Sequence, residues 1–194
     1  MPAPLSAFAL NCSLKASDDS ETSSTDKMLT DLLAELEKHD ASGEIVRVLD
    51  HDVKPGVLSD MGEGDGWPDL REKIVAADIF VLGTPIWMGQ PSSVAKRVLE
   101  RLDAFLSETD DNGRMPAAGK VALVAVVGNE DGAHHCHAAC FQALADVALH
   151  VLGHLIDVNS LAAQGVGQEA DGLSCLDVTH GRHPRNGFLS LRYI

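Results

Sequence analysis

Apolar residues follow two kinds of pattern along this chain. The short runs Leu5–Asn11 (LSAFALN), Asp78–Gly83 (DIFVLG) and Val121–Val127 (VALVAVV) are too apolar to keep one face in water, and they predict strands buried on both faces. Between them the apolar positions recur at helical spacing: Met28, Leu29, Leu32, Leu33 and Leu36; then Leu70, Ile74 and Val75; then Val94, Val98, Leu102 and Phe105. Gly43 is expected to end the first helix, and Glu44–Leu49 (EIVRVL), weakly alternating with two β-branched residues, predicts the second strand. A further helix is expected from about Cys136 to Leu152, and a fifth strand near Leu155–Val158.

Strands that alternate with helices predict an α/β protein, a doubly wound parallel sheet covered by helices on both faces. Asp50–Pro68, with four Gly and two Pro, has loop composition, and Ser92 or Ser93 can cap the third helix. No internal repeat or interdomain linker interrupts the series. Residues 160–194 are turn-rich without a helical period, so the expected division is one domain over 1–159 followed by an atypical tail over 160–194. In open parallel sheets ligands bind outside the carboxyl ends of the strands, which directs attention to residues 11–25, 84–91 and 128–135.

Composition narrows the class of partner. A formal net charge of -14 opposes binding to a nucleic-acid backbone or an anionic membrane, both of which need a basic face. The longest apolar run, Val121–Val127, is far too short for a bilayer span, and no basic region precedes the apolar stretch of the amino terminus; a cytoplasmic location is expected. Cys12, Cys136, Cys140 and Cys175 then read as reduced thiols rather than a disulfide framework. Small molecules remain as ligands.

Each of the three segments carries suitable chemistry. NCSLKASDDSETSSTDK offers the hydroxyls of Ser13, Ser20, Ser23, Ser24 and Thr25, the cation of Lys15 and the amino terminus of a helix, a set that suits a terminal phosphate. It also reads as a solvated loop ending in a helix cap, and Asp18, Asp19, Glu21 and Asp26 oppose an anion. It contains neither a Walker loop nor a G-x-G-x-x-G turn. In GTPIWMGQP, Pro85 is expected to end the strand and stiffen a loop in which Ile86, Trp87, Met88 and Gly89 present a flat surface to a planar ligand; alternatively Trp87 packs on the protein or on a neighbouring subunit. Gly128 and Gly132 flank Asn129, Glu130 and Asp131, where backbone N–H groups can approach a heterocycle, although an ordinary turn has the same composition.

The stretches NCSLK with SST before the first helix, VLDHDVKPGV after the second strand, GTPIWMGQPSSVAKRVLERLDAF and GNEDGAHH make residues 5–150 resemble the flavodoxin-like NAD(P)H-dependent FMN reductases, in their bacterial oxidoreductase branch. The resemblance implies a flavodoxin-like five-stranded sheet of order 2-1-3-4-5. It also implies an FMN whose phosphate sits on Ser13, Lys15, Ser23, Ser24 and Thr25. The ring would lie between Pro85–Gly89 and the Gly128–Gly132 turn, including Asn129, Glu130 and Asp131. NAD(P)H would reduce the flavin, which would then reduce a small acceptor such as free flavin or a quinone. Catalysis rests on the cofactor, so no catalytic acid or base is assigned, and a homodimer or homotetramer is expected. A flavodoxin-type electron carrier and a flavin-free binding module of the same fold remain the alternatives.

Two further motifs are set aside. His134, His135, Cys136, His137 and Cys140 resemble metal ligands but lack a second ligand pair with zinc-type spacing, so no metal is assigned. Gly165–Ala170 matches G-x-G-x-x-A without the strand and helix that a dinucleotide turn requires.

Overall fold

The computed structural model describes residues 3–15, 23–129 and 131–156, together with 177–179 and 190–192. Five parallel strands form the main sheet: β1 (Leu5–Asn11), β2 (Ala41–Arg47), β3 (Ile79–Trp87), β5 (Val121–Val127) and β6 (His150–Ile156). They lie in the order β2-β1-β3-β5-β6, and the two-residue strand β4 (Gln90–Pro91) pairs antiparallel with β3. With β4 left aside this is the expected 2-1-3-4-5 order. The strands β7 (Asp177–Thr179) and β8 (Ser190–Arg192) form a separate antiparallel pair. Gly165–Ala170 and Cys175 lie outside the described residues.

The strands sort their side chains by period 2. Ala7, Ala9, Ile79, Val81, Leu123, Ala125 and Val127 meet Met28, Leu29, Leu32 and Leu36 of α1 (Ser24–Glu37) on one face. Phe8, Leu10, Phe80, Leu82, Ala122, Val124 and Val126 form the opposite core. That core is closed by α2 (Trp67–Ala76), α3 (Ser93–Leu102) and α4 (Ala133–Asp146). Burial on both faces explains why these strands read as continuous apolar runs.

Several boundaries differ from the sequence expectation. Helix α1 ends at Glu37, and the chain turns at Asp40, whose φ of 59° is left-handed. Gly43 stands inside β2 instead, where an added Cβ would lie 2.2 Å from the carbonyl oxygen of Ala7 on the neighbouring strand. Trp67 begins α2 and is fully buried, so the loop composition before it concealed a core residue. Phe105 is buried but lies in a 3-10 turn beyond α3. Ser92 is the α3 cap, accepting the Ala95 N–H at 3.0 Å.

Helix α4 stops at Asp146 and does not reach Leu152. The Leu149 N–H donates to Leu144 O at 3.2 Å and the Ala148 N–H to Ala145 O at 3.1 Å, the bond pattern of a Schellman stop, with both leucines buried. Ala148 occupies the left-handed position at φ 66° that glycine usually fills. Ala148→Gly is therefore expected to raise the unfolding free energy by about 0.5–1 kcal/mol, measured by urea denaturation; a loss of stability would contradict this account of the helix stop.

Candidate functional site

The carboxyl ends of β1, β3 and β5 meet at one end of the sheet, and hydrogen bonds tie them together. The Cys12 N–H donates to Gly83 O at 2.9 Å, which carries the β1–β3 pairing one residue past the strand. Ser92 Oγ, buried, donates to Cys12 O at 2.6 Å, and the Ser92 N–H donates to Thr84 Oγ1 at 3.0 Å. Thr84 is itself buried and donates to Pro85 O at 3.0 Å. The start of the first loop, the end of β3 and the cap of α3 thus form one buried polar unit. Nothing in residue type marks Thr84 or Ser92 for this task beyond the helix cap, and sequence reasoning missed the pairing.

At the β1 end, Ser13 and Thr25 are buried, Ser23 is buried and caps α1 by accepting the Asp26 N–H at 3.0 Å, Ser24 is exposed, and Lys15 is half-buried. The structure thus brings Ser13, Lys15, Ser23, Ser24 and Thr25 to one loop and helix start. Asn11, Asp26 and Arg47 join them. The Ser13 N–H donates to Asn11 Oδ1 at 3.0 Å, Asn11 Nδ2 donates to Asp26 Oδ1 at 3.0 Å, and Arg47 Nη1 donates to Lys15 O at 2.7 Å. Arg47 comes from β2 and could not be found from the loop sequence. Ser20 lies outside the described residues.

The segment Pro85–Gly89 is only partly a loop. β3 continues through Trp87 and turns back into β4 by a two-residue hairpin at Met88 and Gly89, with φ of 52° and 74°. Pro85 therefore does not end the strand. Past Gly83 the β3 ladder has β5 but no longer β1 beside it, and there a missing N–H is tolerated as on an edge strand. Strand alternation then decides the side chains: Ile86 turns into the core against Gly128, while Trp87 is half-exposed and Met88 is 90% exposed.

The third segment abuts this hairpin. Gly132, at φ 117°, precedes α4, and a Cβ on it would lie 2.6 Å from Gly89 Cα. His135 Nε2 lies 3.0 Å from Gln90 Oε1, and Cys136 Sγ donates to Gly89 O at 3.6 Å. Hairpin and helix start thus form one wall. Asn129 and Asp131 flank the turn, with Asp131 Oδ1 accepting the Gly132 N–H at 2.7 Å; Glu130 lies outside the described residues.

Burial disfavours the thiolate at Cys12 and Cys140. Burial, with a neighbouring thiol adding to it, pushes Cys12 far above the usual range and Cys140 up to about 12, so both stay protonated and non-nucleophilic. Cys136 and Cys140 are core residues of α4. Among the described residues no group of three or more His, Cys, Asp or Glu could hold a metal ion, and no helix is long and apolar enough to cross a membrane.

Sheet order, helix placement and a site built at the strand ends define a flavodoxin-like α/β protein. The family of NADPH-dependent FMN reductases matches residues 6–160, and the chain belongs to that family. It is 32% identical, over 92% of its length, to an 8-demethyl-8-aminoriboflavin-5'-phosphate synthase of Streptomyces davaonensis, of which it covers 70%. It is 35% identical, over 95% of its length, to a divalent metal cation transporter MntH of Mycobacterium bovis, and spans only 26% of that protein. Among solved structures, RosB with bound 8-demethyl-8-formylriboflavin-5'-phosphate matches 78% of this chain and 65% of its own at 32% identity and a TM-score of 0.69. The apo form of an NADH:FMN oxidoreductase, 23% identical, matches 78% of this chain and 74% of its own with a TM-score of 0.58, a likeness of fold.

Proposed function

We propose that this chain binds FMN at the strand ends and passes hydride from NAD(P)H through the flavin to a small electrophilic acceptor. The observation that carries the reading is the unit that hydrogen bonds and close packing make of a hydroxyl- and cation-bearing loop at β1, the Trp87–Met88 hairpin and the Gly128–Gly132 turn. The donor set fits a flavin monophosphate. Lys15 with the hydroxyls of Ser13, Ser23, Ser24 and Thr25 suits the phosphate, and the exposed indole of Trp87 suits the ring. In this reading Ile86 serves from within the core, holding the wall. Met88, Gly89, Gly128, Asn129, Asp131 and Gly132 would line the ring, with Glu130 of the same turn carried over from the sequence alone, and Pro85 would fix the entry to the hairpin.

FMN, when bound, supplies the hydride-accepting and hydride-donating chemistry. The chain contributes binding and orientation, through a hairpin held at three points rather than left to move. No side chain is assigned as acid or base.

Names of relatives add a second reading. The synthase and the RosB structure are named for modified riboflavin phosphates, and in this second reading the flavin is the substrate as well as the carrier. Purified protein with FMN and NADPH, assayed with menadione and with ferric citrate, separates the readings. Steady NADPH oxidation with FMN recovered intact by chromatography supports the reductase. A flavin of altered ring substitution supports the second reading. Bound FMN without turnover indicates an electron carrier, and no FMN binding at micromolar concentration refutes all three.

A further inference from the structure

The first loop offers one cation of its own, Lys15, and Asp26 stands beside it in the first turn of α1. The fold delivers a second cation from elsewhere. Arg47 ends β2, and the strand register sets it beside Asn11, the last residue of β1. Its side chain is 14% exposed. One guanidinium nitrogen donates to Lys15 O at 2.7 Å, and the other lies 3.5 Å from Asp26 Oδ1. That carboxylate oxygen also accepts from Asn11 Nδ2 at 3.0 Å, and Asn11 in turn accepts the Ser13 N–H at 3.0 Å. A chain of polar contacts therefore runs from β2 through α1 into the backbone of Ser13.

The charges in this chain are unevenly satisfied. A guanidinium has five donors in a rigid fork, and here the Asp26 contact is long for an ion pair between partly buried groups. Asp26 offsets part of the Arg47 charge, in a molecule whose net charge of -14 already repels anions. A phosphate in this loop would meet Lys15 and the amino terminus of α1, with Arg47, its charge partly offset by Asp26, bonded to the Lys15 carbonyl. The carboxylate at that helix start favours the dipole when no anion is present and competes with an anion that arrives.

We infer that Arg47 is a positioning residue for the Ser13–Lys15 segment, with Asp26 as its resident counter-ion, and that this pair sets the preference of the site for a flavin monophosphate over an unphosphorylated flavin. The inference rests on the FMN reading above and adds to it the residues that govern phosphate discrimination.

The test titrates the apoprotein with FMN and with riboflavin by flavin fluorescence, for the wild type, Arg47→Met, Arg47→Lys and Asp26→Asn, alongside thermal melting of each. Arg47→Met is expected to raise the Kd for FMN about tenfold or more and that for riboflavin less than about threefold. Arg47→Lys restores part of the loss, because an ammonium keeps the charge but not the fork. Asp26→Asn retains an oxygen for Asn11 and removes the competing charge, so FMN binding tightens by about threefold or more while riboflavin is unchanged. Equal weakening of both flavins in Arg47→Met, in step with a lower melting temperature, would make Arg47 a fold-keeping residue only and overturn the inference. Weaker FMN binding in Asp26→Asn would overturn the counter-ion role. A wild type that binds FMN no better than riboflavin overturns the inference and leaves the flavin reading standing; one that binds neither overturns both.

Discussion

Arg101→Met is expected to lower the unfolding free energy by about 3–5 kcal/mol, because it leaves the buried Asp65 carboxylate without its counter-ion. Both side chains are fully buried, with Arg101 Nη2 2.7 Å from Asp65 Oδ2. Arg101 Nη1 also donates to Lys54 O at 2.9 Å, and the guanidinium lies 5.7 Å from the centre of the Trp67 ring. Asp65 is a hub. Besides Arg101 it accepts the N–H groups of Lys54 at 3.1 Å, Met61 at 2.9 Å and Trp67 at 3.2 Å, so one carboxylate gathers the long loop after β2 and pins it to α3.

The same hub predicts a pH signature. Burial alone would raise the Asp65 carboxyl, but the N–H groups of Met61 and Lys54, the Arg101 guanidinium and the Trp67 N–H outweigh it and hold the group at about 2. A carboxylate whose folded value lies below its unfolded value, about 3.9, stabilises the protein above that unfolded value. The contribution is lost as pH falls from about 4 towards 2, and amounts to about 2 kcal/mol. Urea denaturation at pH 7 and at pH 3 should show the gap between wild type and Arg101→Met narrowing at the lower pH. In a double-mutant cycle, Asp65→Asn with Arg101→Met should cost less than the two single changes added together. A single-mutant loss below about 1 kcal/mol would mean that the pair is no more than an exposed ion pair in effect.

Gly132→Ala is expected to have the second largest effect, a loss of about 2–4 kcal/mol from forbidden backbone geometry and a direct clash combined. The φ of 117° disfavours any L side chain, and the new methyl would sit 2.6 Å from Gly89 Cα and 2.9 Å from Gly89 O. These are backbone atoms that cannot rotate aside. The hairpin must move off α4, which breaks the His135–Gln90 and Cys136–Gly89 contacts. If the flavin reading holds, affinity for FMN and for riboflavin should fall together, since the wall and not the phosphate end is disturbed. Unchanged stability by urea denaturation would show that the close approach of Gly132 to Gly89 is not maintained in solution.

The elements were largely legible because buried parallel strands and amphipathic helices each leave a periodicity that no tertiary knowledge is needed to read. The runs of β1, β3 and β5 and the leucine spacing of α1 are of this kind. Errors came where one pattern has two physical meanings. The apolar stretch after Asp146 continues the look of α4, yet a left-handed Ala148 turns it into the start of β6. Pro85 reads as a strand end, yet it sits where β3 has lost one neighbour and can spare an N–H.

The site was legible by segment and not by contact. Residue type and chain order suffice to say which strand ends carry hydroxyls, a cation, an aromatic side chain and paired glycines. The packed fold was needed to show that Ile86 turns inward while Trp87 faces out, that Ser92 and Thr84 join the first loop to β3, and that Arg47 reaches Lys15 from a neighbouring strand. It also decided that Asp65 meets Arg101 across the long loop after β2. The physical reason is separation along the chain: local pattern reports which way each residue must face for its own element to bury its apolar side. Hydrogen bonds and ion pairs between residues tens of positions apart depend on strand register and helix docking, which no local pattern encodes.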